Sequence, residues 1–92
     1  MASRLAQLLR RGREREAAQA LRSAAEGAAT PAARAVLERW AGLLLVRCGR
    51  EVEGTFAIER ADATLDLLGL PQPTLEGLFQ ELGLEGHDPP EP

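Results

Sequence analysis

The 92-residue chain has no lysine, asparagine or tyrosine, and single copies of cysteine, histidine, tryptophan and isoleucine. One cysteine, Cys48, leaves no intrachain disulfide to form and points to a reducing compartment such as the cytoplasm. One histidine, His87, sits in a proline-rich tail, so no His-based triad or metal site can be assembled around it. The longest apolar run, Trp40–Val46, falls far short of the ~20 residues that cross a bilayer. Arg10 and Arg11 interrupt the first leucine cluster before any signal-peptide core develops, and Glu14 and Glu16 come too early for an acid-poor presequence. No phosphate-cradling glycine loop appears, because the glycines punctuate apolar stripes instead. These absences argue against an enzyme and against any cofactor.

What remains is rich in Ala and Leu, the strongest helix formers, and poor in the β-branched and aromatic residues that favour strands. The expected fold class is all-α, in a single small domain over residues 1–84. All eleven basic residues are Arg, the mark of GC-rich coding, which lowers the weight any one arginine carries. Net charge is -3, but it is unevenly spread. Residues 1–50 hold ten Arg against four Glu, whereas residues 51–92 hold Arg60 against ten acids. Such polarity is expected either where the halves face each other or where one meets a charged partner.

Helical spacing recurs along the chain. Leu5, Leu8 and Leu9 follow i, i+3, i+4, with Ser3 as an N-cap, and Gly12 ends that segment. Ala17, Leu21, Ala24 and Ala28 form a second stripe, broken at Gly27–Pro31. Thr30-Pro31 reads as a helix start, Thr as the cap and Pro in the first turn. Residues 31–47 carry Val36, Leu37, Trp40, Leu43, Leu44 and Leu45 round most of the circumference and predict the central helix. After Gly49, residues 51–68 present Val52, Ile58, Ala61, Leu65 and Leu68 as a fourth stripe, with a short strand over Gly54–Ile58 as the alternative. Gly69–Thr74 is a second break, and Thr74 caps a last helix with Leu75, Leu78, Phe79 and Leu82. Residues 85–92 are expected to form a disordered acidic tail.

The chain also repeats itself. Arg-x-Gly-Arg-Glu-x-Glu occurs at residues 10–16 and again at 47–53, a period of 37 residues. The same alignment pairs Ala17 with Gly54, Leu21 with Ile58 and Ala24 with Ala61. Over residues 1–68 this resembles the tetratricopeptide repeat, in which a glycine joins two antiparallel helices and small, large and small residues follow on the second. Gly12, Ala17, Leu21 and Ala24 match in one copy, and Gly49, Gly54, Ile58 and Ala61 in the other. Gly42 falls where the first helix of such a repeat carries its small residue. The resemblance implies helical hairpins with a groove between them that holds a partner peptide or helix, closed by the last helix as a cap.

A second resemblance covers residues 61–84. Leu67, Leu68, Gly69, Leu70, Thr74, Leu75, Phe79, Glu81, Leu82 and Gly83 are similar to the Fis-type helix-turn-helix, which implies a transcription-linked regulator. Against contact with nucleic acid, residues 71–84 hold no cation, and Glu76 and Glu81 would face phosphates.

The expected function is therefore a non-catalytic protein-binding module, a small adaptor or chaperone, with the helix-turn-helix regulator as alternative. The expected contact residues are Leu5, Leu8 and Leu9, with Arg11, Arg13 and Arg15 selecting an acidic protein partner. Trp40, Leu44, Ile58 and Leu65 are assigned to the core. Homodimerisation through the leucine-rich first and last helices is compatible with either function. On this assignment Leu8→Asp removes partner binding and leaves helix content unchanged.

Overall fold

The computed structural model describes residues 2–84, with side chains from Arg4 onward. The disorder expected of the tail at 85–92 lies outside the described residues. Among those described, the chain is all helix: α1 (Ala2–Arg10), α2 (Glu14–Glu26), α3 (Pro31–Arg47), α4 (Glu51–Leu68) and α5 (Leu75–Glu81), with no strand. The segment Gly54–Ile58, for which a strand was the alternative, lies inside α4. The first helix begins at Ala2, so Ser3 lies within it rather than capping it.

Local signals account for most of the helix ends. The Thr30 hydroxyl accepts from the Ala33 amide at 3.1 Å, and Thr74 accepts from the Gly77 amide at 3.1 Å. Each side chain satisfies an amide that the first helical turn leaves open. Where α2 and α4 lack a side-chain cap, their first turns carry Glu14 and Glu16, or Glu51 and Glu53. Carboxylates there meet the positive end of the helix dipole.

The sequence repeat is also a repeat of structure. The three-residue links between α1 and α2 and between α3 and α4 adopt one turn, with Gly12 at φ 72° and Gly49 at φ 96°. Only a residue without Cβ enters this left-handed region cheaply. The following arginine amide reaches back five residues in both places, Arg13 to the Leu8 carbonyl and Arg50 to the Leu45 carbonyl, each at 2.8 Å. Arg13 and Arg50 then take nearly equal angles, φ -88°, ψ 64° and φ -95°, ψ 64°.

As the stripe over residues 31–47 predicts, α3 is the central element, lying between α2 and α4 and also carrying α5. Its closest neighbour is α4, and the reason is a pair of glycines. A Cβ added at Gly42 would lie 2.8 Å from the Gly54 carbonyl oxygen, and one added at Gly54 would lie 2.6 Å from that of Gly42. Backbone touches backbone there, and no larger residue fits without parting the helices.

The main core gathers Leu5, Leu8 and Leu9 of α1, Ala17, Ala18 and Leu21 of α2, Ala41, Leu44 and Leu45 of α3, and Leu78, Phe79 and Leu84 around α5. A smaller cluster, Ala35, Ala61 and Leu65, lies at the other end of the α3–α4 seam. Of the four residues assigned to the core from sequence, Leu44 and Leu65 are fully buried, whereas Trp40 and Ile58 are half-buried. The face that α4 turns to α3 is Gly54, Ala57, Ile58, Ala61 and Leu65. Val52 and Leu68, expected on that stripe, are exposed instead.

Candidate interaction surface

Leu5, Leu8 and Leu9 do not form an outward surface. They are 3%, 7% and 2% exposed and sit in the main core with Leu21 and Phe79. The physical reason is that α1 has its single apolar face turned inward, leaving Arg4, Gln7 and Arg10 to water. Leu8→Asp is accordingly expected to reduce helix content, because it would bury an unpaired carboxylate.

Arg11, Arg13 and Arg15 are exposed at the turn between α1 and α2. Arg13 pairs with Glu16 at 3.2 Å, both side chains about half exposed. This turn lies at the same end of the molecule as the α3–α4 turn, to which Arg47 ties it through Glu14 at 3.4 Å. The end is thus strewn with both signs of charge.

A groove does run between the two hairpins, over α3 and between α2 and α4, with a volume of about 370 Å³. It is not apolar. Arg22, Arg34, Arg60, Glu26 and Glu38 line it, and Phe56 is its one large apolar side chain. Arg22 bridges it to Glu53 on α4. That hydrogen bond, with Arg50 contributing less, holds the Glu53 carboxyl below the ordinary carboxylate value.

Sequence reasoning gave Arg39 no weight, yet it organises the chain between α4 and α5. Its Nε donates to Asp62 on α4 at 2.7 Å, and its other nitrogens reach the Pro73 carbonyl and the Gln72 amide oxygen. Beside it the Trp40 indole N–H donates to the Thr74 carbonyl at 2.8 Å. The planar fork of an arginine suits three acceptors in different directions. These bonds carry the chain across α3, so α5 seats Leu78 and Phe79 in the main core. No Cα of α5 comes within 8 Å of α4. The last helix is seated on α3 instead.

The unsatisfied surface lies on α4. Val52 is 87% exposed, Phe56 63% and Leu67 89%, with Leu68 and Leu70 at 47% and 41% just beyond. At 3.6 residues per turn, Val52, Phe56, Ala63 and Leu67 fall within about 60° of one another, on the side opposite Gly54 and Ala61. The signal was present in the sequence as a second apolar stripe, offset by half a turn from the first. Val52 and Phe56 also line a shallow depression with Glu51, Glu53, Thr55 and Glu59.

No protein-family model, no curated protein and no solved structure matches this chain. The outward face of α4 is thus read on its chemistry alone. Among the described residues no three of His, Cys, Asp and Glu gather as a metal site, and no helix is long and apolar enough to cross a membrane.

Proposed function

We propose that the chain is a non-catalytic protein-binding module and that it takes its partner on the outward face of α4. The observation that carries this reading is the exposure of Val52, Phe56 and Leu67 on one stripe of a helix whose backbone, among the described elements, packs against α3. Scattered apolar residues are ordinary on a protein surface, whereas apolar residues aligned along one helix face signal an interface. Burying one such side chain contributes roughly 1.5–3 kcal/mol. A partner helix laid along the stripe would gain that at several positions at once. The tetratricopeptide-like hairpins then serve as a scaffold that holds α4 rigid through the Gly42–Gly54 contact.

A protein is favoured over nucleic acid as the partner. α4 carries Glu51, Glu53, Glu59, Asp62 and Asp66 against Arg60, and α5 presents Glu76 and Glu81 with no cation. Such faces repel phosphates. The exposed Arg11, Arg13 and Arg15, at the turn between α1 and α2, select for acidic segments of the same partner.

The test is a photo-reactive p-benzoylphenylalanine in place of Phe56, irradiated in the host cell. An adduct at a discrete higher mass, lost when Leu67→Asp is added, is expected. Absence of any adduct at position 56, with the chain folded and abundant, sinks the proposal.

A further inference from the structure

We propose that the acidic segment at residues 85–92, EGHDPPEP, docks on the arginine-rich end of its own molecule and competes there with acidic segments of a partner. The competition rests on the reading of Arg11, Arg13 and Arg15 as the residues that select such segments. The course of α5 delivers the chain to that end. The helix starts level with Trp40, whose indole bonds the Thr74 carbonyl. Leu78, Phe79 and Leu84 all pack in the main core with Leu44 and Leu45, and none reaches the smaller cluster of Ala35 and Leu65. So α5 runs with α3 toward Arg47, the end where the bond to Glu14 ties the two turns together. Eight further residues reach up to ~26 Å from Leu84, more than twice the diameter of a helix.

The charge at that end is unbalanced among the described residues. Glu14 is taken by Arg47 and Glu16 by Arg13. Arg4, Arg10, Arg11 and Arg15 are exposed and pair with no carboxylate among those residues. Arg4, Arg11 and Arg13 surround a depression of about 170 Å³ beside Gln7. Arg4 and Arg11, seven residues apart on one side of α1, are spaced about 10 Å along the helix axis. The segment carries acids at a matching interval. Glu85, Asp88 and Glu91 recur at every third residue, with Pro89, Pro90 and Pro92 among them and no arginine. In the three-residue turn that prolines favour, acids so placed share one side and stand about 9 Å apart. Arg34 and Arg60 are less suited, because they share their groove with Glu26 and Glu38 and lie toward the opposite end of α3. Each exposed ion pair is weak. A tethered segment nevertheless acts at an effective concentration in the millimolar range, where several weak pairs are enough.

The experiment uses the purified full chain with Cys48→Ser as background and a nitroxide attached at Pro90→Cys. At low ionic strength the label should broaden the amide signals of Arg4, Gln7 and Arg11 more strongly than those of Ala61 and Thr64. That broadening should vanish in a chain carrying Glu85→Gln, Asp88→Asn and Glu91→Gln, and should fade in about 0.5 M salt. A fluorescein-labelled hexaglutamate peptide reads the competition. It should bind the neutralised chain about threefold more tightly than the parent, and Arg4→Gln with Arg11→Gln should erase the difference. No broadening over α1, or broadening that survives neutralisation of the acids, overturns the docking. Equal binding of the peptide to the two chains, or none to either, overturns the competition. The outward face of α4 is judged separately by the in-cell adduct at position 56. An adduct without broadening keeps the partner on α4 and removes the segment, and broadening without an adduct does the reverse.

Discussion

In the first hairpin α1 lies on α2 with Leu5 and Ala17 at the positions that Gly42 and Gly54 occupy in the second, 37 residues on. The turns are the same in conformation, in hydrogen bonding and in the arginine that follows the glycine. The packing is not. A leucine at position 5 holds α1 away from α2 and fills the space itself, 3% exposed, whereas two glycines bring α3 and α4 into backbone contact. The outer faces differ too: α1 shows water a polar side, and α4 shows it Val52, Phe56 and Leu67. One turn motif thus sets the direction of the return helix and leaves its distance to the side chains at the crossing. Where that distance is spent on backbone contact, the helix has fewer large apolar residues to hide on its inner face and carries some on its outer one.

Substitutions at matched positions separate the two kinds of packing. The largest effect is expected from Leu5→Ala, which opens a cavity in the first hairpin and should cost about 2–5 kcal/mol in urea unfolding. In the second hairpin the danger runs the other way. Gly54→Ala, which would place a Cβ 2.6 Å from the Gly42 oxygen, should cost about 1–3 kcal/mol by overpacking. If Gly54→Ala were neutral, the glycine crossing would not be what brings α3 and α4 together. The turns themselves should behave alike: a Cβ at Gly12 or Gly49 meets nothing within 4 Å, so alanine at either costs only the left-handed conformation, roughly 1–2 kcal/mol. Unequal losses from the two would show that one turn supports more than its own geometry.

The smallest effect concerns Glu53, which Arg22 ties across the groove between hairpins. Its carboxyl is held below the ordinary value, so the pair stabilises the fold fully above the unfolded carboxylate range and loses that contribution as acid protonates it. Between about pH 5 and pH 3 the melting temperature of the parent chain should fall slightly more steeply than that of Glu53→Gln. The difference should shrink in salt, since both side chains are well exposed.

Reading the helices from sequence succeeds where the cause is local. Thr30 and Thr74 cap through hydroxyls three residues from their amides, and Gly12 and Gly49 turn the chain with their own backbone; such features need no knowledge of the rest of the molecule. The all-α class follows for the same reason. Which face of a helix turns inward is a different matter. The leucines of α1 and the outer stripe of α4 look equally available in one dimension, and they exchange places in three. Leu5, Leu8 and Leu9 are covered because Arg39 and Trp40 draw the chain across α3 and lodge Phe79 in their core. Val52 and Leu67 are left out because the Gly42–Gly54 contact selects the opposite side of α4. Both outcomes rest on residues brought together from twelve to more than seventy positions apart, which periodicity does not encode.

The bond from Trp40 to Thr74 gives the molecule an optical gauge of one event. A seven-residue helix has too few turns to persist by itself, so α5 forms only while it is docked, and the chain's single indole sits at the hinge of that docking. Its emission should therefore redden when α5 lifts away, even while α2, α3 and α4 stay folded. A fluorescence transition preceding the loss of helix signal on warming would time the departure of the last helix from the rest.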